Sequence, residues 1–439
     1  MKTIKSILNQ FRDSFYQRKN QINVKDSLSP KKNIESSDNQ PRVEIPNLEE
    51  RFSNWIKNNS PVRDLSGNPL TGIGYSEYSS GQLLMFGTFK DGIPHGSFEL
   101  YGEKGQLKWK RVYNNGKLDG LFEEFYENGR LKNKGTLKDG KREGPFESYF
   151  ENGQLWEKET YKDGKWDGPF VKYYVNGQLK EKGFRYYRNM NGPYEEYYEN
   201  GQLKVKGTYV KWRQEGQFVE YYENGNLRTI ETYKEGKKNG ISEYYSKNGQ
   251  LRTREYYKDG KRNGPYELYY ENGQLQVKEY YIDGWGEGQF VEYYENGQLK
   301  EKKNYSNRIL DGPYEYFYEN GKLLERGTFK KFEYEGPFEI FYENGQLKER
   351  GVFIRGKYER DYDGPIERFY ENGQLKLKGI YIDGKWDGPF EEYHEDGRLK
   401  VKGTLKNGKK EGRWEGCDDY GDVILIGVFS NGERISYSD

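Results

Sequence analysis

The chain has 439 residues, of which 33% are hydrophobic and 17% aromatic, so its apolar residues are largely Tyr and Phe and are too few for a thick two-sided core. Its 72 Lys and Arg residues almost balance 71 Asp and Glu residues, and the charges alternate along the chain without segregating, which argues against the basic stripe that nucleic-acid binding requires. With two His residues and one Cys, the chain lacks the material for His-based triads, His-rich metal sites or an intrachain disulfide framework.

The N-terminal region divides into two segments before the body of the chain begins. Residues 1–22 predict a short basic amphipathic helix, whose apolar residues at helical spacing are Ile4, Ile7, Leu8, Phe11 and Phe15. Such a helix either rests on the rest of the protein or attaches weakly to an anionic membrane surface. Residues 23–45 are rich in Ser, Asn, Lys and Asp without a periodic pattern, which predicts a disordered linker.

Residues 46–70 predict a capping helix and a segment that leads into the body of the chain. Asn47 is the expected N-cap, and the apolar residues that share one helical face are Leu48, Phe52, Trp55 and Ile56. We expect this helix to cover the exposed edge of the first β-strand, because the ends of repeat arrays need such caps.

A repeat occupies residues 71–435. Its marker is a turn glycine that recurs every 24 residues, except for one interval of 28 between Gly345 and Gly373. A fixed period of this size is typical of solenoids, propellers and open arrays. The marker glycines are Gly81, Gly105, Gly129, Gly153, Gly177, Gly201, Gly225, Gly249, Gly273, Gly297, Gly321, Gly345, Gly373, Gly397 and Gly421.

Each repeat is predicted to form one β-hairpin, and residues 365–388 show the pattern clearly. Asn372-Gly373 lies between two alternating runs and predicts a type I′ turn, in which both central residues have φ > 0. The resulting register pairs Glu367 with Lys378 and Ile366 with Gly379. One face then carries Ile366, Tyr370, Leu375, Leu377 and Tyr381, and the other carries Glu367, Glu371, Lys376 and Lys378.

The other repeats support this register. The acid–base pair recurs as Glu99–Lys110, Glu123–Lys134, Glu147–Lys158, Glu195–Lys206, Glu243–Arg254, Glu267–Lys278, Glu315–Arg326, Glu339–Arg350 and Glu391–Lys402, and where the acid becomes Val219 the partner is Ile230. Glycine often lies opposite the aromatic residue that begins the hairpin, which predicts a ring packed over bare backbone. These glycines are Gly135, Gly207, Gly327, Gly351, Gly379 and Gly403.

The predicted fold is all-β: an elongated antiparallel β-meander of about 15 stacked 24-residue hairpins, with a short helical N-terminal region and a C-terminal tail at residues 436–439. The last repeat is atypical and apolar at residues 423–426, which predicts a C-terminal cap. Three ways of covering the aromatic face are open: coiling of the sheet, association into a homo-oligomer, or a bound partner.

The turns form two rows that differ in their sequence. The uniform row contains the marker glycines and mostly reads Glu-Asn-Gly-Gln-Leu. The variable row starts from Lys-Asp-Gly-Lys and diverges at residues 185–191, 210–215, 283–288, 306–310, 330–335 and 354–363. These turns either tolerate substitution or recognise a partner, because binding commonly uses aromatic residues on loop tips. The candidate partner-binding residues are Trp212, Trp285, Phe332, Tyr358 and Tyr362.

The pattern Y-x-N-G-x-L-x-x-x-G-x-Y-x-x-G-x-x-x-G-P, present over about residues 72–435, resembles the MORN repeat and most closely its bacterial variant, as in YwqK-type antitoxin proteins. The resemblance implies protein–protein scaffolding, an antitoxin or immunity partnership, and for some members contact with phospholipid. It supplies no catalytic residues.

Signals for chemistry are weak. The spacing Asp-Gly-x-x-Asp-Gly at residues 163–168 and 383–388 is similar to that of calcium loops, but other repeats place Glu143, Asn239, Asn263 or Glu411 at the second acid, so turn formation explains it better. We expect no catalytic site, cofactor or metal site, and no binding of nucleic acid. The favoured hypothesis is a cytoplasmic, non-enzymatic protein-binding scaffold whose partner is a protein such as a toxin. The alternative is a peripheral membrane protein attached through residues 1–22.

Overall fold

The structure, a computed structural model, describes residues 42–353, 364–418 and 421–436. The predicted amphipathic helix at 1–22 and the linker up to residue 41 therefore lie outside the described residues, as do Tyr358 and Tyr362. The described part of the chain begins with strand β1 (Arg42–Glu44) and helix α1 (Leu48–Asn58), and a long sheet follows.

From β2 onward the sheet is an antiparallel meander in which successive hairpin strands pair, as predicted. The two-residue strands β12, β21, β24 and β27 pair with the preceding strand, which also pairs with the strand that follows them. The strands of its first half are β2 (Gly72–Glu77), β3 (Leu83–Lys90), β4 (Ile93–Tyr101), β5 (Leu107–Asn114), β6 (Lys117–Phe125), β7 (Leu131–Lys138), β8 (Lys141–Tyr149), β9 (Leu155–Lys162), β10 (Lys165–Tyr173), β11 (Leu179–Tyr186), β12 (Asn189–Met190), β13 (Gly192–Tyr197), β14 (Leu203–Val210), β15 (Arg213–Tyr221), β16 (Leu227–Lys234), β17 (Lys237–Tyr245) and β18 (Leu251–Lys258).

The second half continues the same alternation. Its strands are β19 (Lys261–Tyr269), β20 (Leu275–Ile282), β21 (Trp285–Gly286), β22 (Gly288–Tyr293), β23 (Leu299–Ser306), β24 (Ile309–Leu310), β25 (Gly312–Phe317), β26 (Leu323–Lys330), β27 (Glu333–Tyr334), β28 (Gly336–Phe341), β29 (Leu347–Phe353), β30 (Gly364–Phe369), β31 (Leu375–Ile382), β32 (Lys385–Tyr393), β33 (Leu399–Lys406), β34 (Lys409–Cys417), β35 (Val423–Ser430) and β36 (Glu433–Ser436).

The two turn rows have different geometries, and the predicted type I′ turn occurs in the other row. In the uniform row, the Tyr370 carbonyl accepts the Gly373 N–H at 2.9 Å and the Tyr370 N–H donates to the Gln374 carbonyl at 2.8 Å. This is a three-residue loop in which Gly373 has φ 84. The type I′ turns lie in the variable row, where Asp383 has φ 48 and Gly384 has φ 79.

The predicted register is confirmed away from the turn. Glu367 pairs with Lys378 and Ile366 with Gly379, and the acid–base pairs of the other repeats align in the same way. Beside the turn, Phe369 and not Tyr370 lies opposite Leu375, because the three-residue loop introduces a bulge. Tyr370 and its neighbour Glu371 therefore belong to the turn and not to the faces predicted for them.

The aromatic face is covered by rings of neighbouring hairpins within the chain. Gly135 pairs with Phe122, but the ring over its bare backbone is Phe146 of the next hairpin, whose Cδ2 lies 2.2 Å from where a Cβ on Gly135 would be. Trp414 covers Gly403 in the same way and is 2% exposed. The prediction of rings over glycines is confirmed, and neighbouring hairpins cover these positions without a second layer of structure.

Charged residues also lie on the aromatic face. The prediction had placed them only on the opposite face. Glu255 is 5% exposed and accepts hydrogen bonds from the Tyr257 hydroxyl and, at 2.7 Å, from Arg262. Glu325 is 3% exposed and accepts the Tyr314 hydroxyl at 2.8 Å. These carboxylates are tolerated because each has a hydrogen-bond donor beside it.

On the opposite face, the acid–base pairs join into a row that crosses hairpin boundaries. Glu147 contacts Lys158 of its own hairpin at 2.8 Å and Lys134 of the preceding hairpin at 2.9 Å. Burial acts to raise the pKa of Glu147, but hydrogen bonds from Lys158, Tyr149 and Lys134 outweigh it and lower the pKa to about 2.

The N-terminal cap differs from its prediction in three respects. Val43 of β1 pairs in parallel with Gly74, and Ile45 is fully buried, so residues 42–45 are not part of a disordered linker. Strand β1 therefore covers the edge of β2, whereas helix α1 covers the aromatic face, with Phe52 stacked on Phe98 at 4.9 Å. Ile56 is 55% exposed, because the contact face of α1 is centred on the other three predicted residues.

The C-terminal end of the sheet is less covered than the predicted cap implies. Val423 and Ile424 of β35 are 59% and 46% exposed. The short strand β36 pairs with only the last part of β35, from Val428 to Ser430.

We predict that Gly135→Ala weakens the sheet locally by about 1–3 kcal/mol, because the new methyl group would collide with the Phe146 ring. Hydrogen exchange of peptides from β7 and β8, followed by mass spectrometry, measures this loss of protection. Gly286→Ala is the matched control, since nothing lies within 4 Å of its new Cβ. Equal effects of the two changes would contradict the packing argument.

We also predict that acid weakens the hairpin of β8 and β9 through Glu147. A carboxylate whose pKa is lower in the folded state stabilises it above the unfolded pKa and loses that contribution as pH falls through the folded pKa. The contribution should therefore disappear between about pH 4.5 and pH 2. In Glu147→Gln, hydrogen-exchange protection of β8 and β9 should no longer show the loss between these pH values that the unchanged protein shows. If the pH dependence of protection were the same in both proteins, Glu147 would not be the group responsible.

Candidate functional site

Side chains hold the uniform row together. The Tyr270 hydroxyl donates to the Tyr293 carbonyl at 2.8 Å, and Asn272 Nδ2 donates to the Glu295 carbonyl at 2.8 Å, so each turn is joined to the next. Asn272 Oδ1 also accepts the Gln274 N–H at 2.9 Å within its own turn. The same pair of bonds recurs along the row, which explains why its Tyr and Asn residues are uniform.

These bonds continue across the longest repeat. The Tyr342 hydroxyl donates to the Phe369 carbonyl at 2.9 Å, and Asn344 Nδ2 donates to the Glu371 carbonyl at 3.0 Å. The four additional residues of this repeat therefore leave the uniform row unchanged.

The variable row is held by the backbone. Its turns donate a main-chain N–H to the preceding hairpin: Gly164 to Arg142 at 2.9 Å, Trp212 to Met190 at 3.0 Å, and Phe332 to the Leu310 carbonyl at 2.9 Å. Every residue except Pro can make this bond, so the bond itself does not restrict the side chains of the turn. Some regular turns add a side-chain acceptor, as where Glu143 accepts the Asp163 N–H at 2.9 Å.

Four turns of the variable row carry a bulky residue where the regular turns carry glycine. Arg188, Trp212, Arg308 and Phe332 have φ values of 73, 67, 71 and 70. A left-handed backbone on a side-chain-bearing residue costs on the order of 1–3 kcal/mol. The first turn residue is left-handed in the regular turns as well, as at Asp163 and Asp259, but their second turn residue is glycine, so these four turns differ at the second position. Aligning the second turn glycine of each repeat would reveal all four positions from sequence.

Arg188 and Trp212 lie on neighbouring turns and, with the residues beside them, form a surface that we call the basic aromatic cluster. It consists of Tyr186, Tyr187, Arg188, Lys211, Trp212 and Arg213. The Trp212 indole reaches across to the preceding turn, where its Nε1–H donates to the Arg188 carbonyl at 3.0 Å. The rings of Tyr186 and Tyr187 meet edge to face at 4.5 Å, and Lys165 lies over Tyr187 at 5.0 Å. Trp212 is 54% exposed and Tyr187 is 52% exposed, so the cluster presents its rings to solvent.

A partly buried cation, Arg185, precedes the first turn of this cluster in the sequence. Arg185 replaces the aromatic residue that most repeats carry just before the turn, and its guanidinium lies 4.1 Å from the Phe170 ring and 4.7 Å from the Trp166 ring. It also forms an ion pair with Glu159. The base of the turn is thereby fixed in position.

The Trp285 cluster, defined as Trp285, Arg308 and Phe332, lies further along the same row. The Arg308 guanidinium stacks on the Trp285 ring at 4.9 Å. Trp285 is 54% exposed and Phe332 is 44% exposed. Each strand adds about 4.8 Å across a sheet, so the three repeats between residues 212 and 284 separate the two clusters by about 30 Å.

The predicted site residues therefore fall into three groups. Trp212 lies in the basic aromatic cluster, Trp285 and Phe332 lie in the Trp285 cluster, and Tyr358 and Tyr362 lie outside the described residues. Sequence reasoning named neither Arg188 nor Arg308, nor the tyrosines of the 186–189 turn.

The two rows also differ in charge, which corrects the expectation that charges do not segregate. Turns 198–202, 270–274 and 342–346 of the uniform row each carry one Glu and no basic residue. Turns 162–165, 234–237 and 258–261 of the variable row each carry two Lys and one acid. The variable edge is therefore the basic edge of the sheet.

Neither a metal-binding group of side chains nor a membrane-spanning helix occurs in residues 42–353, 364–418 and 421–436. In that part of the chain, no three His, Cys, Asp or Glu side chains are grouped to hold a metal ion. No helix there is long and apolar enough to cross a membrane. In the calcium-like spacing at 383–388, Asp387 Oδ2 accepts the N–H of Asn407 at 3.0 Å and so serves a turn.

We predict that Trp212→Gly and Phe332→Gly leave local stability unchanged or increase it by up to about 1 kcal/mol, since relief of the left-handed backbone offsets the lost contacts. Tyr270→Phe in the uniform row should instead cost about 0.5–1.5 kcal/mol, because it removes a hydrogen bond. Hydrogen exchange of the corresponding hairpins tests both. A loss above about 1 kcal/mol in Trp212→Gly would show that its side chain is structural.

One family model matches the chain, and its description is MORN repeat variant. It matches residues 118–139, 142–163, 190–211, 214–235, 238–259, 262–283, 286–307, 310–331, 334–354, 362–383 and 386–407, together more than half of the chain. No curated protein matches.

Among solved structures, a chain in the crystal structure of TcdB2-TccC3-Cdc42 is 12% identical, with 83% of this chain and 21% of that chain covered and a TM-score of 0.16. A chain in the crystal structure of TcdB2-TccC3-TEV is 11% identical, with 84% and 22% covered and a TM-score of 0.16. The present chain spans about a fifth of their length, and TM-scores this low support no argument.

Proposed function

Because the chain belongs to the MORN repeat variant family, we propose that it is a non-enzymatic protein-binding scaffold whose variable turn row is the binding edge. The sheet provides a rigid, extended frame on which turn tips are held at fixed spacing. Recognition commonly uses such tips, and Trp, Tyr and Arg contribute most to interface affinity.

The observation that carries this proposal is the left-handed backbone of Arg188, Trp212, Arg308 and Phe332. If these turns only tolerated substitution, glycine would serve equally well at lower conformational cost. Large side chains occupy them instead, and in each cluster a side chain of one turn contacts the neighbouring turn. Such preorganised rings lose little conformational freedom on binding.

The finer form of the proposal is an antitoxin or immunity-type partner in the cytoplasm, with a toxin as the bound protein. It is supported by the resemblance to YwqK-type repeat proteins. The absence of enzymatic activity is part of the proposal, supported by the scarcity of His and Cys in the sequence.

The test is a pull-down in which the site residues revert to those of the regular repeats: Trp212→Gly, Trp285→Lys and Phe332→Gly. These changes retain the turns, so folding should persist. We expect a protein captured by the unchanged chain to be recovered at least about tenfold less efficiently, as for the loss of interface hot spots.

The control replaces Gln202, Gln274 and Gln374 of the uniform row with Ala. Capture should remain intact in this variant. If capture were lost in the control and retained in the reverted variant, with circular dichroism unchanged in both, the binding edge would be the uniform row.

A further inference from the structure

We propose that the basic aromatic cluster binds a carboxylate-rich protein segment, so that the partner presents Glu or Asp together with an aromatic or apolar residue to this site. The inference rests on the proposed function and specifies the chemistry of the partner at one of the two clusters.

Unpaired cations are the first observation. Lys165, Arg188, Lys211 and Arg213 are exposed, and none forms an ion pair with a carboxylate of the described residues. Basic residues within the strands differ, since Lys134 and Lys158 both contact Glu147. Four cations on adjacent turns, with no ion-paired carboxylate in the described part of the chain, leave a positive site to which an anionic partner can contribute the missing charge.

Preorganisation is the second observation. The backbone carbonyl of Arg188 accepts the Trp212 indole N–H, which fixes the indole across the neighbouring turn. Arg188 also carries a guanidinium group, which can bind a carboxylate through two parallel hydrogen bonds. Because this bond joins the two turns, the indole and the guanidinium belong to one site, which offers both an apolar contact and a carboxylate contact.

The distribution of charge favours a protein partner over a nucleic acid or a membrane. A nucleic-acid backbone needs a continuous basic track, but Asp163 and Glu235 interrupt the positive charge in the turns on either side of the cluster. An anionic bilayer is fluid, so it would attract any exposed Lys regardless of geometry. The Lys residues of turns 234–237 and 258–261, which lack aromatic residues, would then serve as well as the cluster. The held rings of the cluster, with exposed arginines beside them in sequence, instead match a protein surface that presents carboxylates together with apolar groups.

The experiment measures fluorescence anisotropy of a short labelled peptide of alternating Glu and Tyr with the full-length protein. A peptide with Gln in place of Glu should bind at least about tenfold more weakly, and raising salt should weaken binding of the Glu peptide. The variant Arg188→Glu/Arg213→Glu should lower affinity for the Glu peptide about tenfold or more. The matched control, Lys258→Glu/Lys261→Glu in a regular turn of the same row, should change it by less than about twofold.

Several outcomes would overturn the inference. Equal losses in the variant and the control would show a diffuse charge effect. Tighter binding of oligothymidylate would indicate a nucleic-acid site, and stronger binding to phosphatidylserine vesicles, lost in the same variant, would indicate a membrane site. Failure of the Glu peptide while pull-down capture still depends on Trp212 would refute the carboxylate chemistry alone and leave the proposed binding edge intact.

Discussion

The sheet depends on the hydrogen bonds that link successive turns of the uniform row. An open sheet of hairpins has no second layer, so each hairpin is stabilised only by its neighbours. The bonds from Tyr270 to the Tyr293 carbonyl and from Asn272 to the Glu295 carbonyl fix one hairpin on the next at the point where the strands end. Their persistence from Tyr342 to Phe369 shows that this edge sets the spacing even where a repeat is longer.

The two edges of the sheet differ in the hydrogen-bond donors that join successive turns. The uniform row uses side-chain donors, and the variable row uses main-chain N–H groups. A side-chain hydroxyl or amide can be supplied by few residue types, whereas a backbone N–H is supplied by nearly all of them. One edge must therefore retain its sequence, and the other can change its side chains without losing its connection to the array. Binding residues can accumulate at Trp212 or Phe332 because the bond made there comes from their main chain.

Much of the fold could be predicted from the sequence, because the 24-residue period and the cross-strand acid–base pairs constrain one register. The predicted turn type of the uniform row was wrong, since Asn-Gly alone does not distinguish a two-residue from a three-residue loop. Asn372 is needed in that loop for its side-chain hydrogen bonds. The buried charge of Glu255 was missed, because its partner Arg262 comes from the adjacent hairpin. For the site, the aromatic residues could be predicted, but Arg188 and Arg308 are recognised only when the second turn glycine is aligned.

The placement of the left-handed residues argues against random drift. Arg188 and Trp212 occupy neighbouring turns, and so do Arg308 and Phe332, while the regular turns of the row retain glycine. Substitutions that were merely tolerated would be scattered, and each carries a conformational cost that a glycine avoids. Strained positions instead let a large side chain span two turns: the indole of Trp212 reaches the turn of Arg188, and Arg308 reaches Trp285 beside the turn that retains Gly284. The conformational cost of the left-handed backbone therefore accompanies a contact between two neighbouring turns, which a glycine at this position could not make.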